Sequence, residues 1–420
     1  MRQQSIDNCC PLNTLCFNDY QISAGNLCSI LEFCENSTSE CPSGTSSYVI
    51  QFCRVPKAIC LPLEWMTSRP SADTCHPSFT SKISYATGAY PTSFSAADFN
   101  GDNHTDLAIT NSGSNTISIL LASVNGTFTS TQTFPTGIGP LRLAVGDFNG
   151  DQRLDIVAVN SIDNTISLLL GFGNGSFLTH RTIPTGLTPY WIAVSDFNHD
   201  NHADIVVTHF ASDNIGVYLG DGHGNFSTPL IFPTSAYPVG IALGDLNQDN
   251  QTDLAVTSYL SNSVSVLYGY GNGSFAKQKM FSTGGTYPFS ILIDDLNEDN
   301  QSDLVVVNRG DNTVSILLNN GNGTFTLQKK LNTGLNPYQA AVIDLNNDNR
   351  KDLVVTNTYS NDISVFLGSI NDTFTSETTF PAGDSPTGLL CHDFNNDNRP
   401  DIATANNAQT IINILFNRCH

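Results

Sequence analysis

The segment Asp98-Phe-Asn-Gly-Asp102-Asn-His-Thr-Asp106 sets side-chain oxygens at alternate positions of a short loop, and the same arrangement returns six more times. Positions 1, 3, 5 and 9 are Asp, Asn, Asp and Asp in every copy, while position 7 varies in type. Alternate residues of a tight loop can turn their oxygens inward together, which is what Ca²⁺ demands: about six to eight hard oxygens at about 2.3–2.6 Å. A varying position 7 fits a ligand that gives only its backbone carbonyl. The candidate ligand sets are Asp98, Asn100, Asp102, His104 and Asp106; Asp147, Asn149, Asp151, Arg153 and Asp155; and Asp196, Asn198, Asp200, His202 and Asp204. They continue with Asp245, Asn247, Asp249, Gln251 and Asp253; Asp295, Asn297, Asp299, Gln301 and Asp303; Asp344, Asn346, Asp348, Arg350 and Asp352; and Asp393, Asn395, Asp397, Arg399 and Asp401. Position 6 is Asn in every copy but one, and Asn is the usual non-glycine occupant of a left-handed turn. Gln152 is the exception, so the second loop is expected to be strained. No glutamate follows at position 12, so these are not EF-hands. Seven Ca²⁺ per chain are expected.

The charge balance agrees. With 38 acids against 17 bases the net charge is −21, which excludes a nucleic-acid-binding surface. The ligand positions of the loops hold 21 of the 38 acids, and seven divalent cations would bring −21 to −7. Nine of the 11 cysteines fall before residue 76, without Cys-x-x-Cys pairs or a matching His cluster. That density favours disulfides over zinc and hence an oxidising, extracellular compartment. Residues 1–25 lack the basic-then-apolar pattern of a signal peptide. The cysteines carry more weight, and the chain reads as a mature or truncated form. No apolar run reaches the roughly 18 residues of a membrane span.

The loops need elements to hold them. Their first acids recur at intervals of 49, 49, 49, 50, 49 and 49 residues, the period of one propeller blade. In one repeat, Pro91 to Phe99 reads as a strand, the Asp/Asn loop follows, and Asp106 to Thr110, Thr116 to Leu121 and Phe128 to Phe134 are three more strands. Four strands per repeat make a blade. The Phe opening the fourth strand recurs at Phe177, Phe226, Phe275, Phe325 and Phe374, and once upstream at Phe79. The chain ends after a third strand, so Phe79–Gly88 must complete the last blade, which removes an open edge. The fold expected is therefore all-β: a seven-bladed propeller over residues 78–420, closed by its N-terminal strand and preceded by a disulfide-rich module over residues 1–77. Cys75 and Cys419 map to one turn, where a disulfide would lock the ring by about 4–5 kcal/mol. Cys391 takes a position occupied by Val145 and Val194 in other blades and reads as a buried free thiol.

The loops resemble those of the FG-GAP/VCBS repeat family, which read Asp-x-Asn-x-Asp-Gly-x-x-Asp between the first two strands of a blade. The resemblance covers about 340 residues and all seven repeats, and implies Ca²⁺ as the metal. The integrin α-subunit head is a more distant relative, whose full Phe-Gly and Gly-Ala-Pro signatures this chain lacks. Related repeats occur in fungal lectins and in non-catalytic parts of extracellular enzymes, so family membership leaves the ligand open.

Sequons lie at Asn36, Asn125, Asn174, Asn225, Asn272, Asn322 and Asn371, most in the turn between third and fourth strands, and inside metal loops at Asn103, Asn250 and Asn300. Asn-Gly-Ser/Thr is also ordinary turn chemistry. Glycans on the turns would share a face with the metal loops, whereas in the loops they would crowd the ion. The opposite face carries Asn111–Asn115, His209–Asn214 and Ser258–Asn262, with Tyr90, Tyr190, Trp191, Tyr237, Tyr287, Tyr338 and Tyr359 beside them. Tyr, Ser, Gly and Asn suit adaptable recognition. Arg309-Gly310-Asp311 there resembles an integrin-recognition tripeptide, although Asp163 and Asp213 are read as equivalents of its acid. No nucleophile, zincin or phosphate-loop motif occurs, so no enzymatic activity is expected. The expected role is that of a secreted or cell-surface binding or adhesion protein, with a protein or glycan partner; a lectin, or the propeller part of an extracellular enzyme, is the alternative.

Overall fold

The computed structural model describes residues 14–18, 58–62, 76–123, 126–369 and 373–419. The chain divides at Thr74/Cys75. Of the first unit only one antiparallel pair is described, Thr14–Asn18 against Ala58–Pro62, with Cys16 in register opposite Cys60. The expected disulfide framework otherwise lies outside the described residues, as does Cys75.

The second unit is a ring of seven four-stranded antiparallel sheets. Blade 1 runs Pro91–Ala97, Asp106–Asn111, Thr116–Ala122 and Phe128–Pro135. Blades 2 to 6 open at Pro140, Pro189, Pro238, Pro288 and Pro337. Blade 7 takes Pro386–His392, Asp401–Asn406 and Ile411–Cys419 from the chain's end. Its fourth strand is Pro77–Ala86, paired antiparallel with Ile411–Cys419, so the expected closure by the N-terminal strand is present.

Second strands such as Asp155-Ile-Val-Ala-Val-Asn160 are buried at all six positions. They read as continuous apolar runs because both faces meet a neighbouring blade. Seven apolar clusters fill the seven clefts between blades, and that of Leu107, Ile109, Ala403 and Ile414 joins blade 7 to blade 1. Burial of each leucine, isoleucine, valine or phenylalanine there stabilises the ring by about 1.5–3 kcal/mol. Cys391 is free and packs against the blade 6–7 cluster, where burial pushes its thiol up to about 12.

Fourth strands depart from expectation. Phe177, Phe226 and Phe275 form isolated bridges only, and the strands proper begin at Arg181, Leu230 and Lys279. These outermost strands have one neighbour, so nothing enforces pairing along their length. Blade 6 is interrupted likewise, between Thr373–Phe374 and Thr378–Pro381. Every first strand carries a register shift just after its proline, as at Pro140/Arg142 and Pro189/Ile192. Such bulges re-aim side chains, here at the ring's inner end.

Candidate metal centres

Each Asp/Asn loop is folded around its own first and last acids. In all seven, the Oδ2 of position 1 accepts the position 6 amide at 2.7–2.8 Å. Its Oδ1 accepts the position 5 amide at 3.1–3.2 Å. Position 5 in turn accepts the position 7 amide at 2.8–3.0 Å. This winding needs left-handed backbone at position 6, from φ 60° at Asn250 to 64° at Asn201, with Gln152 at 63° as the expected strained case. Position 4 is left-handed as well: Gly101 and Gly150 adopt it freely, His199, Gln248 and Glu298 against side-chain sterics. The two glycines, with Asn347 and Asn396 at the same position of the last two loops, were the trace of that requirement in the sequence.

Position 9 works differently from the rest. Asp106 is fully buried, its Oδ2 accepting the Phe99 amide at 3.0 Å and its Oδ1 the Ala122 amide at 2.7 Å. The six counterparts make the same two bonds, clamping each loop to its second and third strands. Desolvation, reinforced by the acids at positions 5 and 1 and opposed by the two amides, pushes Asp106, Asp155, Asp204, Asp253, Asp303 and Asp352 up to about 6 and Asp401 to about 7. Asp98 moves the other way: burial acts to raise it, but four backbone amides hold it below the usual carboxylate range.

Among the described residues no three carboxylate, imidazole or thiol groups converge as a ready cage. Yet the chemistry of the donors fits a hard divalent cation. At least three acids share each nine-residue loop, Asn carbonyls sit between them, and the buried acid carries uncompensated repulsion that a cation would relieve. In four loops the position 7 side chain also approaches the position 5 acid. Arg399 reaches the Asp397 carboxylate at 2.8 Å, Arg350 reaches Asp348 at 3.5 Å and Arg153 reaches Asp151 at 3.9 Å, while His202 lies 3.4 Å from Asp200. In those loops a side chain of the loop itself stands where a metal would compete.

The turn between third and fourth strands seats on the preceding blade's loop. The Gly175, Gly224 and Gly273 amides donate to the Phe99, Phe148 and Phe197 carbonyls, each at 2.8 Å. Gly175 sits at φ +80° and a Cβ there would lie 2.8 Å from the Leu121 side chain, so a larger residue would strain this turn and displace Leu121. Metal loops and sequon turns therefore share a face. Asn174, Asn272 and Asn322 are exposed, each Oδ1 held by the hydroxyl two residues on. Asn225 instead donates its amide to Asp221 and accepts from Arg181. Asn36, Asn125 and Asn371 lie outside the described residues.

On the opposite face the polar turns are committed to the scaffold. Asn115, Asn164, Asp213, Asn262, Asn312 and Asn361 each accept an amide from the connection to the next blade. Ser114, Asp163, Ser212, Ser261, Asp311 and Ser360 accept one from the connection before. Asp213 is thus the counterpart of Asn312, and Ser212 that of Asp311, one residue from the equivalence read in the sequence. The Arg309-Gly-Asp311 turn is occupied at both ends: Asp311 binds Lys330 at 2.7 Å, and the Arg309 guanidinium stacks 4.5 Å over Phe289. Of the aromatics, Tyr90 and Tyr359 are exposed at 56% and 74%, while Tyr190, Trp191 and Tyr338 turn toward the axis. The residue before each first-strand proline is left-handed in all seven blades, and in three it is a tyrosine. Nothing in the spacing announced that strain.

A closed ring of seven sheets bearing one oxygen-rich loop per blade is a repeat β-propeller. A family model described as FG-GAP-like repeat matches residues 98–158, 147–207, 202–256, 247–306, 295–355 and 344–404, and the chain belongs to that family. A comparison with curated protein sequences finds no match. Among solved structures, the ring is similar to BBS1N in its complex with ARL6DN, at 13% identity and TM-score 0.57 over 79% of this chain and 94% of that one. It is similar to streptogramin B lyase, at 17% identity and TM-score 0.57 over 81% and 99%. It is also similar to an Agrocybe aegerita lectin recognising non-reducing terminal N-acetylglucosamine, at 16% identity and TM-score 0.51 over 81% and 94%. These likenesses show the fold alone. The lyase corrects one expectation: the absence of linear catalytic motifs is no ground for excluding an enzyme. Single residues from distant blades meet at the ring's end, so a propeller site leaves no contiguous motif.

Proposed function

We propose that this protein is an extracellular calcium-binding propeller that presents a ligand-binding face to a protein or glycan partner. The observation that carries it is the sevenfold repetition, on one face, of a loop whose acids share the same hydrogen-bond frame in every blade. Positions 1, 3 and 5 would supply side-chain oxygens, position 7 its carbonyl and position 9 a carboxylate already anchored by two amides. Bound Ca²⁺ would neutralise the acids of each loop and fix its shape. Elemental analysis after dialysis against millimolar calcium is expected to find close to seven ions per chain; two or fewer would end the reading.

The lectin reading is favoured by one feature. Asn103, His104 and Thr105 of the first loop face His392, Asp393 and Asn396 of the seventh across a polar groove between blades. A glycan array probed in calcium and again in chelator tests it. Calcium-dependent retention of defined sugars supports a lectin, and a blank array directs the search to protein partners.

A further inference from the structure

Every first strand enters the ring at a proline and bulges immediately after it, aiming its next residues at the axis. The second residue beyond the proline is Ser or Gly in four blades, but Arg142 in blade 2, Trp191 in blade 3 and Gln339 in blade 6. Arg142 Nη1 donates to Gln339 Oε1 at 2.9 Å, a bond that bridges blade 2 and blade 6 across the axis. Its guanidinium lies 3.9 Å over Trp191 and 5.3 Å from the Tyr338 ring centre. A second guanidinium, that of Arg309, lies 5.1 Å from that same Tyr338 centre, its Nε donating to Asn336 at 3.0 Å.

Arg142 is 3% exposed, and its Nη2 has no hydrogen-bond partner among the described residues. Neither Arg142 nor Arg309 has an acid within ion-pair distance there, in a chain with 38 acids. A buried guanidinium with an idle N–H and no counter-charge is costly unless something else supplies the charge. Ring faces supply part of it, since a π face attracts a cation, but they accept no in-plane N–H bond.

We propose that the axis holds a monoanion site, in which Arg142 Nη2 donates to a halide-sized ion or to the carboxylate of a ligand entering from the face opposite the metal loops, with Arg309 as the second cation. The site is independent of the calcium loops.

The test uses the whole protein in millimolar calcium. Crystals grown with bromide are expected to show an anomalous peak within hydrogen-bond distance of Arg142 Nη2. In solution, chloride, bromide and acetate at fixed ionic strength are compared with methanesulfonate, a larger and weakly coordinating anion. The smaller anions are expected to raise the melting temperature by roughly 2 °C or more, and Arg142→Gln to abolish the difference. Acetate that stabilises and displaces bromide marks a carboxylate receptor, whereas halide binding alone marks a structural ion. Should Arg142→Gln fail to fold, the bromide map of the unaltered protein decides. A peak without anomalous signal, together with equal melting in all salts, means that water solvates the guanidinium and overturns the site.

Discussion

At the scale of single residues, position 7 of the loop carries a consequence for metal binding. Arg399 donates to Asp397 at 2.8 Å from an exposed position, so a cation entering the seventh loop must displace it. Exposed pairs of this kind contribute only about 0–1 kcal/mol, which corresponds to a few-fold in affinity. Arg399→Ala is expected to tighten that loop for calcium by about 2–5-fold, read as an enlarged high-affinity phase in calorimetric titration. An unchanged isotherm would show that the arginine does not compete.

His209 stands where blades 1, 2, 5, 6 and 7 place an asparagine, with Nε2 2.7 Å from the Thr185 hydroxyl and Nδ1 2.7 Å from Asn214 Oδ1. Desolvation, opposed by the Asn214 bond, holds its pKa below 6.5. The unfolded chain therefore takes up the proton first. The contribution to stability is complete above the unfolded pKa and declines as pH falls through it toward the folded pKa. His209→Asn is expected to lose less melting temperature than the unaltered protein between pH 7 and pH 5. Parallel curves would place the acid sensitivity elsewhere.

At the scale of the blade, the last loop acid is a structural clamp as well as a candidate ligand. Asp106→Ala would orphan the buried Phe99 amide, at about 1–3 kcal/mol, and free the half-buried Ala122 amide to water. Asp102 is exposed and binds only within its own loop. With excess chelator present, Asp106→Ala is expected to lower the melting temperature while Asp102→Ala leaves it near that of the unaltered chain. In calcium both variants lose stability. Equal losses in chelator would refute the division of labour. The clamp also explains why a loop with two left-handed residues keeps one shape in seven blades: its own last acid ties its ends into the sheet.

At the scale of the whole molecule, stability rests on closure. Pro77–Ala86 pairs with Ile411–Cys419, and Phe79 packs edge-to-face on Phe380 of blade 6 at 5.1 Å. Removing residues 1–74 is expected to leave a folded ring. Removing residues 1–90 takes away the fourth strand of blade 7, bares the edge of Ile411–Cys419 and should cause aggregation, seen by light scattering. Calcium acts at the same scale, because each ion bound only by the native ring adds RT ln(1 + [L]/Kd). Chelator is expected to lower the melting temperature by many degrees, and a curve indifferent to it would remove calcium from the folding of the ring.

The sequence by itself determined the number of blades, the first three strands within them, the closing strand and the seven loops, because each depends on a period that a linear chain displays. Four strands every 49 residues need no partner to be recognised, and Asn at position 6 announces its left-handed turn. What the tertiary structure decided were the meetings between blades. The spacing offered the Ser/Asn turns as recognition loops and Arg309-Gly-Asp311 as an adhesive tripeptide; folding spends their oxygens on connections arriving from neighbouring blades. Arg142 and Gln339 are 197 residues apart, and no local pattern links them. They meet because a closed ring brings every first strand to one axis, where a side chain's partners are set by the radius of the ring and not by the order of the chain.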